Sequence, residues 1–145
     1  MVKNLQVSSQ DISISKTTVH KLVLLLKKEF NLEISLLSIS FISSNKLREV
    51  NEQFLNHNYD TDILTFNYSK KQKKIDGEIL ISFEEARYNA KKFNVNYGKE
   101  LTRLVIHGVL HLLNFNDTDA SSKKIMKKKE NKLINKFNFA LLAGK

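Results

Sequence analysis

The chain has 145 residues, the length of one ordinary domain, and a formal net charge of +9. It contains no cysteine, so disulfides, thiolate metal ligands and a cysteine nucleophile are excluded. No apolar run approaches the roughly 20 residues that span a bilayer, and no apolar segment typical of a signal peptide follows the first lysine. We therefore expect a single cytoplasmic domain over residues 1–145 with no membrane contact.

The spacing of apolar residues predicts strands alternating with helices, then a run of helices. Ser15 stands where the first helix would take its N-cap. The early alternation favours parallel strand pairing, and the third and fourth strands form an antiparallel hairpin. The pattern predicts an α+β fold in which about five helices pack on a mixed four-stranded sheet, with the fourth helix central. The predicted strands cover residues 2–8, 34–43, 62–68 and 75–83, and the helices cover 18–30, 45–55, 84–93, 99–113 and 120–138.

Two histidines four residues apart, His107 and His111, share one face of the fourth predicted helix. This is the spacing of paired metal-ligating histidines in zinc enzymes. Gly108 between them lets a backbone or a substrate approach closely, and Asn114 tolerates the left-handed conformation that ends helices. A reversal there would return Asp117 toward the histidines. We predict that His107, His111 and Asp117 hold one divalent metal ion, with zinc as the first expectation.

Other interpretations of these residues stay open. A histidine pair on a helix is often partly buried and hydrogen-bonded without any metal, and the added carboxylate favours ligation here. Asp119 competes as the third ligand, but its place before the last helix favours an N-cap. Gly108 stands where metalloproteases carry their glutamate base, which disfavours protease chemistry. Asp62 and Glu78 are candidate bases for which we favour structural roles, and a surface or packing role is favoured over metal ligation for His20.

Three segments together resemble one known family. The run HGVLHLLNFND at 107–117 resembles the signature His-Gly-x-Leu-His-Leu-x-Gly-Tyr-Asp-His of the YbeY endoribonucleases. TDILTF at 61–66 resembles that family's Thr-Asp-Val-Leu-Ser-Phe strand, and DGEI at 76–79 resembles its Gly-Asp-Ile segment. The resemblance implies a single-strand-specific, metal-dependent endoribonuclease acting in 16S ribosomal RNA 3′-end maturation and ribosome quality control. It also implies ribosomal RNA and the small ribosomal subunit as partners.

The chain departs from the family pattern at two positions. Asp117 stands where the family has its third histidine, and a carboxylate would lower the net charge of a zinc site and weaken the metal as a Lewis acid. Leu55 stands where the family has an arginine that is thought to hold substrate phosphate. The resemblance therefore carries over the metal ligands but not the arginine. His57, Lys70, Arg103 or another basic side chain could substitute for it, and the sequence does not say which.

The basic charge favours a polyanion partner, although a lysine-rich composition accounts for it equally well. We predict RNA contacts at Arg103 and at a hairpin cluster between the third and fourth strands, made of Lys70, Lys71, Lys73 and Lys74. For the lysines of the last helix we favour a solvated face. DNA binding is not expected. Two rival functions remain, a non-catalytic ribosome-assembly factor with a structural metal and a metal-dependent hydrolase of another substrate, including a peptidase.

Overall fold

The computed structural model describes residues 1–55, 61–115 and 119–137. In these ranges four strands and five helices follow one another, and each lies close to its predicted position. The strands are β1 (Leu5–Ser9), β2 (Glu33–Ile42), β3 (Ile63–Asn67) and β4 (Lys74–Ser82), and the helices are α1 (Lys16–Phe30), α2 (Ser44–Leu55), α3 (Phe83–Lys92), α4 (Tyr97–Leu112) and α5 (Ala120–Phe137).

The strands form one mixed sheet in the order β1-β2-β4-β3. β1 pairs with β2 and β2 pairs with β4, both in parallel, whereas β3 runs antiparallel to β4. The parallel pairs are the ones joined through helices, and the antiparallel pair is the hairpin, as the alternation of predicted elements requires. The α+β prediction with a mixed four-stranded sheet is confirmed.

Helix α4 occupies the centre of the molecule. It contacts β3 and β4 of the sheet and packs against α3 and α5. Its side chains Leu101, Val105, Ile106 and Leu110 are fully buried beside the sheet residues Ile79 and Ile81 in one core. A helix held on several sides offers a rigid base for functional side chains, and α4 is the helix that carries the histidine pair.

Local signals set the ends of several elements. The Ser15 hydroxyl accepts a hydrogen bond from the backbone of Thr18 and caps α1, as predicted. The first strand begins at Leu5 and not at Val2, because Asn4 has a φ of 65°, outside the extended region. The Asn4 side chain also donates to the Ile34 carbonyl at 3.2 Å, which fixes this turn against β2.

Candidate metal centre

The two histidines of α4 converge on one point. The Nε2 atoms of His107 and His111 lie 3.0 Å apart, and the ring centroids are separated by 4.6 Å. Both rings are half-buried, and α4 is continuous through both residues. The predicted helical spacing therefore brings the two imidazoles together as expected.

This arrangement fits a divalent metal ion. Ring nitrogens at about 2.0–2.1 Å from a tetrahedral zinc lie roughly 3.3 Å apart, close to the observed separation. The same 3.0 Å is a hydrogen-bond distance between the two rings, so it also fits the metal-free histidine pair that the sequence left as an alternative. Within residues 1–55, 61–115 and 119–137, however, no group of three histidine, cysteine or carboxylate side chains is arranged to hold a metal. Asp117, the predicted third ligand, lies outside the described residues. The histidine pair supplies two nitrogen donors, and the third ligand remains a sequence-based prediction.

Glu130 of α5 holds the outer nitrogen of the first histidine. Its Oε2 atom makes a short contact with His107 Nδ1, and its Oε1 atom is 3.3 Å from the guanidinium of Arg103. Glu130 is only 5% exposed, and a buried carboxylate is costly unless it is paired, which these two partners achieve. A carboxylate on the outer nitrogen fixes the ring orientation and tautomer of a metal-ligating histidine. The link also ties α5 to α4 at the site.

Arg103 lies between two buried carboxylates. Its guanidinium is 3.3 Å from Glu130 and 3.8 Å from Glu100, and it is itself largely buried. Burial raises the pKa of Glu100 to about 7, with Arg103 opposing that shift. The role of Arg103 as an RNA contact stays a prediction. Its guanidinium is already paired with these two carboxylates.

The remaining candidate carboxylates have structural partners. Asp62 Oδ2 accepts a hydrogen bond from Asn89 at 3.1 Å, and burial raises the pKa of the Asp62 carboxyl. Glu78 accepts a hydrogen bond from the Tyr68 hydroxyl at 2.6 Å. Asp119 Oδ1 accepts from the backbone of Ser122 at 2.7 Å at the start of α5, the N-cap geometry that was predicted.

The chain reverses immediately after α4. Asn114 has a φ of 71°, and the Phe115 backbone donates back to the Leu110 carbonyl at 3.0 Å. This is the left-handed helix ending that the sequence predicts. The Asn67 amide of β3 donates to the Leu112 carbonyl at 3.3 Å and anchors the same end of the helix.

Gly108 has a different role from the one expected. A Cβ atom at this position would lie 2.9 Å from side-chain atoms of Ile79 in β4. The glycine therefore lets α4 pack closely on the sheet, and the group that approaches it is a core side chain, not a backbone or a substrate. The position of the two histidines therefore depends on how closely α4 packs on β4.

A cavity of about 390 Å³ opens beside His107. Its lining comes from α3 and the turn after it, from α4 and α5, and from the segment before β3, and it includes Asp62, Asn89, Arg103 and Glu130. The hairpin cluster lies elsewhere, since Lys71 and Lys73 line a separate cavity together with residues that follow His111. The structure thus separates the hairpin cluster from the cavity at His107.

Sequence reasoning missed Glu130 and Glu100. Glu130 shares the buried stripe of α5 with Met126 and Leu133, at helical spacing. Glu100 is likewise buried next to Leu101 in α4. A charged side chain on the apolar face of an amphipathic helix was the available signal.

Leu55 and His57 bear on which residue replaces the family's phosphate-binding arginine, and the structure does not decide this. Leu55 ends α2 and is 38% exposed. His57, one of the basic side chains named as a substitute for the family's arginine, lies outside the described residues. His20, by contrast, accepts a hydrogen bond from the Val2 backbone at 3.2 Å, which agrees with the packing role favoured for it.

The fold and site define a class: an α+β protein whose central helix presents a carboxylate-supported histidine pair beside a cleft. Residues 3–138 match the family model described as Endoribonuclease YbeY. The protein named Endoribonuclease YbeY of Parabacteroides distasonis is 43% identical over 98 residues, which cover 68% of each chain. The protein of that name from Amoebophilus asiaticus is 35% identical over 129 residues, covering 89% of this chain and 85% of its own.

A solution structure of TM1509 from Thermotoga maritima shares the fold, with a TM-score of 0.64 and 24% identity. The match covers 92% of this chain and 88% of that chain. The chain belongs to the YbeY family, whose members are named as endoribonucleases, that is, RNA-cleaving hydrolases. The resemblance seen in the sequence motifs is confirmed.

Proposed function

We propose that this chain is a single-strand-specific, metal-dependent endoribonuclease that acts on ribosomal RNA in the cytoplasm. The proposed tasks are 16S ribosomal RNA 3′-end maturation and ribosome quality control, with the small ribosomal subunit as the partner. Family membership supports RNA cleavage. The observation that carries the metal dependence is the convergence of two imidazole nitrogens, His107 Nε2 and His111 Nε2, at 3.0 Å. No helix among the described residues is long and apolar enough to cross a membrane.

The chain's own residues define how such a site would work. His107 and His111 would hold the ion, and Asp117 is the proposed third ligand. When bound, a divalent ion lowers the pKa of water and stabilises charge on the phosphate. Glu130 holds His107 by its Nδ1 atom and so keeps Nε2 directed at His111. The Arg103 guanidinium balances the carboxylate charge at the back of the pair.

Cleavage of a fluorogenic single-stranded RNA with added zinc tests the proposal. We expect His111→Ala to reduce cleavage to background, because it removes one of two converging nitrogens. His20→Ala is the matched control, since that histidine lies on α1 away from the site. Metal analysis should find about one equivalent in the wild type and less than half in Asp117→Ala.

Each contrary result would point to a different function for this chain. Equal cleavage by the wild type and His111→Ala would place catalysis elsewhere. A full equivalent of metal with no RNA cleavage would indicate a structural metal in an assembly factor. Digestion of casein without cleavage of RNA would indicate a hydrolase of another substrate.

A further inference from the structure

The cavity beside His107 has one apolar wall that is open to solvent. Phe93 and Val95 line it and are 62% and 43% exposed. Exposed aromatic rings are the platforms on which single-stranded nucleic acids stack their bases. The exposed ring of Phe93, in a concave site next to the histidine pair, is therefore a candidate platform for a base.

The turn after α3 holds these two side chains in place. Asn94 has a φ of 54°, and the Val95 backbone donates to the Ala90 carbonyl at 2.9 Å. The Phe93 backbone donates to the Asn89 carbonyl at 2.9 Å. Since the backbone is tied to the last turn of α3, the ring is presented without the cost of ordering a loose loop on binding.

Another part of the cavity lining is basic. Lys123 and Lys127 lie one turn apart on α5, line the cavity and are exposed. Neither forms an ion pair with a carboxylate among the described residues. Three carboxylates also line the cavity: Glu100 and Glu130 are buried and paired with Arg103, and Asp62 is half-buried and accepts a hydrogen bond from Asn89. The exposed charge at this opening is therefore positive.

We propose that this cavity is a nucleotide subsite for single-stranded RNA, next to the phosphate cleaved at the histidine pair. A base stacks on Phe93 against Val95, and Lys123 and Lys127 bind backbone phosphates. A nucleotide joins a flat apolar base to an anionic phosphate, which matches the two walls, and about 390 Å³ is within the usual size of a ligand site. The inference rests on the proposed RNA-cleaving function and extends it to how substrate is held.

A charge-reversal pair tests the basic wall. Lys123→Glu/Lys127→Glu is compared with Lys124→Glu/Lys128→Glu, which makes the same charge change on exposed positions of the same helix that do not line the cavity. The Kd for a labelled single-stranded RNA is measured with chelator present at several salt concentrations. The cavity pair should weaken binding at least tenfold more than the control pair and lower the salt slope by about 1.4. Equal losses in the two double variants would overturn the phosphate contacts.

A second comparison tests base stacking. Phe93→Ala is compared with Tyr88→Ala, since Tyr88 is equally exposed at 62% on α3 but does not line the cavity. Phe93→Ala should weaken RNA binding on the order of tenfold and leave the affinity for inorganic polyphosphate, which has charge but no bases, unchanged. Tyr88→Ala should change neither affinity. Equal effects of the two variants on RNA, or an equal effect of Phe93→Ala on both ligands, would overturn the base subsite.

Failure of the subsite and failure of the proposed function give different results. If the wild type neither binds nor cleaves single-stranded RNA, the proposed function is wrong and the subsite falls with it. If the wild type cleaves RNA while cavity and control variants behave alike, the subsite alone is wrong. RNA binding that disappears with chelator in the wild type also counts against the subsite, which needs no metal.

Discussion

At the scale of single residues, the contact between Glu130 and His107 connects the last helix to the candidate metal centre. Glu130→Gln keeps the size of the side chain and removes its charge. We expect the affinity for zinc to fall about 10- to 100-fold, since the neutral amide oxygen of Gln is a weaker acceptor for His107 Nδ1 than the carboxylate and no longer raises the basicity of the ring. Competition with a chromogenic chelator measures this change.

Glu29→Gln is the matched control for Glu130→Gln. Glu29 of α1 forms a partly exposed ion pair at 2.6 Å with Lys136, near the C-terminal end of α5. Its removal should leave zinc affinity unchanged. An equal loss of affinity in both variants would mean that Glu130 acts only through general stability.

Glu100 should make the stability of the protein depend on pH. Burial raises the pKa of Glu100 from 4.5 to about 7 in the folded state. Its contribution to the free energy of unfolding is therefore fully present below pH 4.5 and is lost as the pH rises through 7. As the pH rises from 4.5 to above 7, the wild type should therefore lose roughly 1–3 kcal/mol of unfolding free energy relative to Glu100→Gln.

Urea unfolding of wild type and Glu100→Gln at pH 4.5, 6 and 8 measures this shift, because the subtraction removes the titration of other groups. A difference that stays constant with pH would show that Glu100 titrates normally in the folded protein.

At the scale of elements, the close packing of β4 against β3 and α4 depends on a pair of glycines. A Cβ atom at Gly77 in β4 would lie 2.5 Å from the Phe66 carbonyl oxygen, while one at Gly108 would meet the side chain of Ile79. A strand backbone cannot move aside as a side chain can. We expect Gly77→Ala to destabilise more than Gly108→Ala, for which about 1–3 kcal/mol is expected.

Thermal and urea unfolding of the two glycine variants test this order. Ala90→Gly, at a buried position of α3, serves as a control for changing a small buried residue. If Gly108→Ala proves the more damaging of the two, the Ile79 side chain is less able to move than we infer. Zinc binding by Gly108→Ala would then show whether the histidine pair is displaced.

The elements themselves were largely predictable, because each carries a local signal. Apolar spacing indicated nine elements in the correct order, and polar caps such as Ser15 placed their ends. Phe54 shows the limit of that reasoning, since it fits the apolar stripe of α2 yet is 64% exposed. Periodicity shows which face of a helix is apolar, but not how far the rest of the protein covers it.

At the scale of the whole molecule, the charge of +9 predicts RNA binding that weakens steeply with salt. The hairpin cluster lies at a different cavity from the one at His107. Lys70→Glu/Lys71→Glu should weaken RNA binding with little dependence on base content, because it removes only phosphate attraction. Lys16→Glu/Lys21→Glu on α1 makes the same charge change as a control, and equal losses would mean that only net charge matters.

The sequence by itself determined the family, the order of strands and helices, and the histidine pair. Each of these is written in residues that are close together in the chain, so helical geometry alone brings His107 and His111 together. Tertiary structure decided what surrounds the pair. Glu130 reaches His107 across 23 residues, and Phe93 and Lys127 line one cavity only because α3 and α5 both pack on α4. Such contacts depend on how helices pack, which no local pattern encodes.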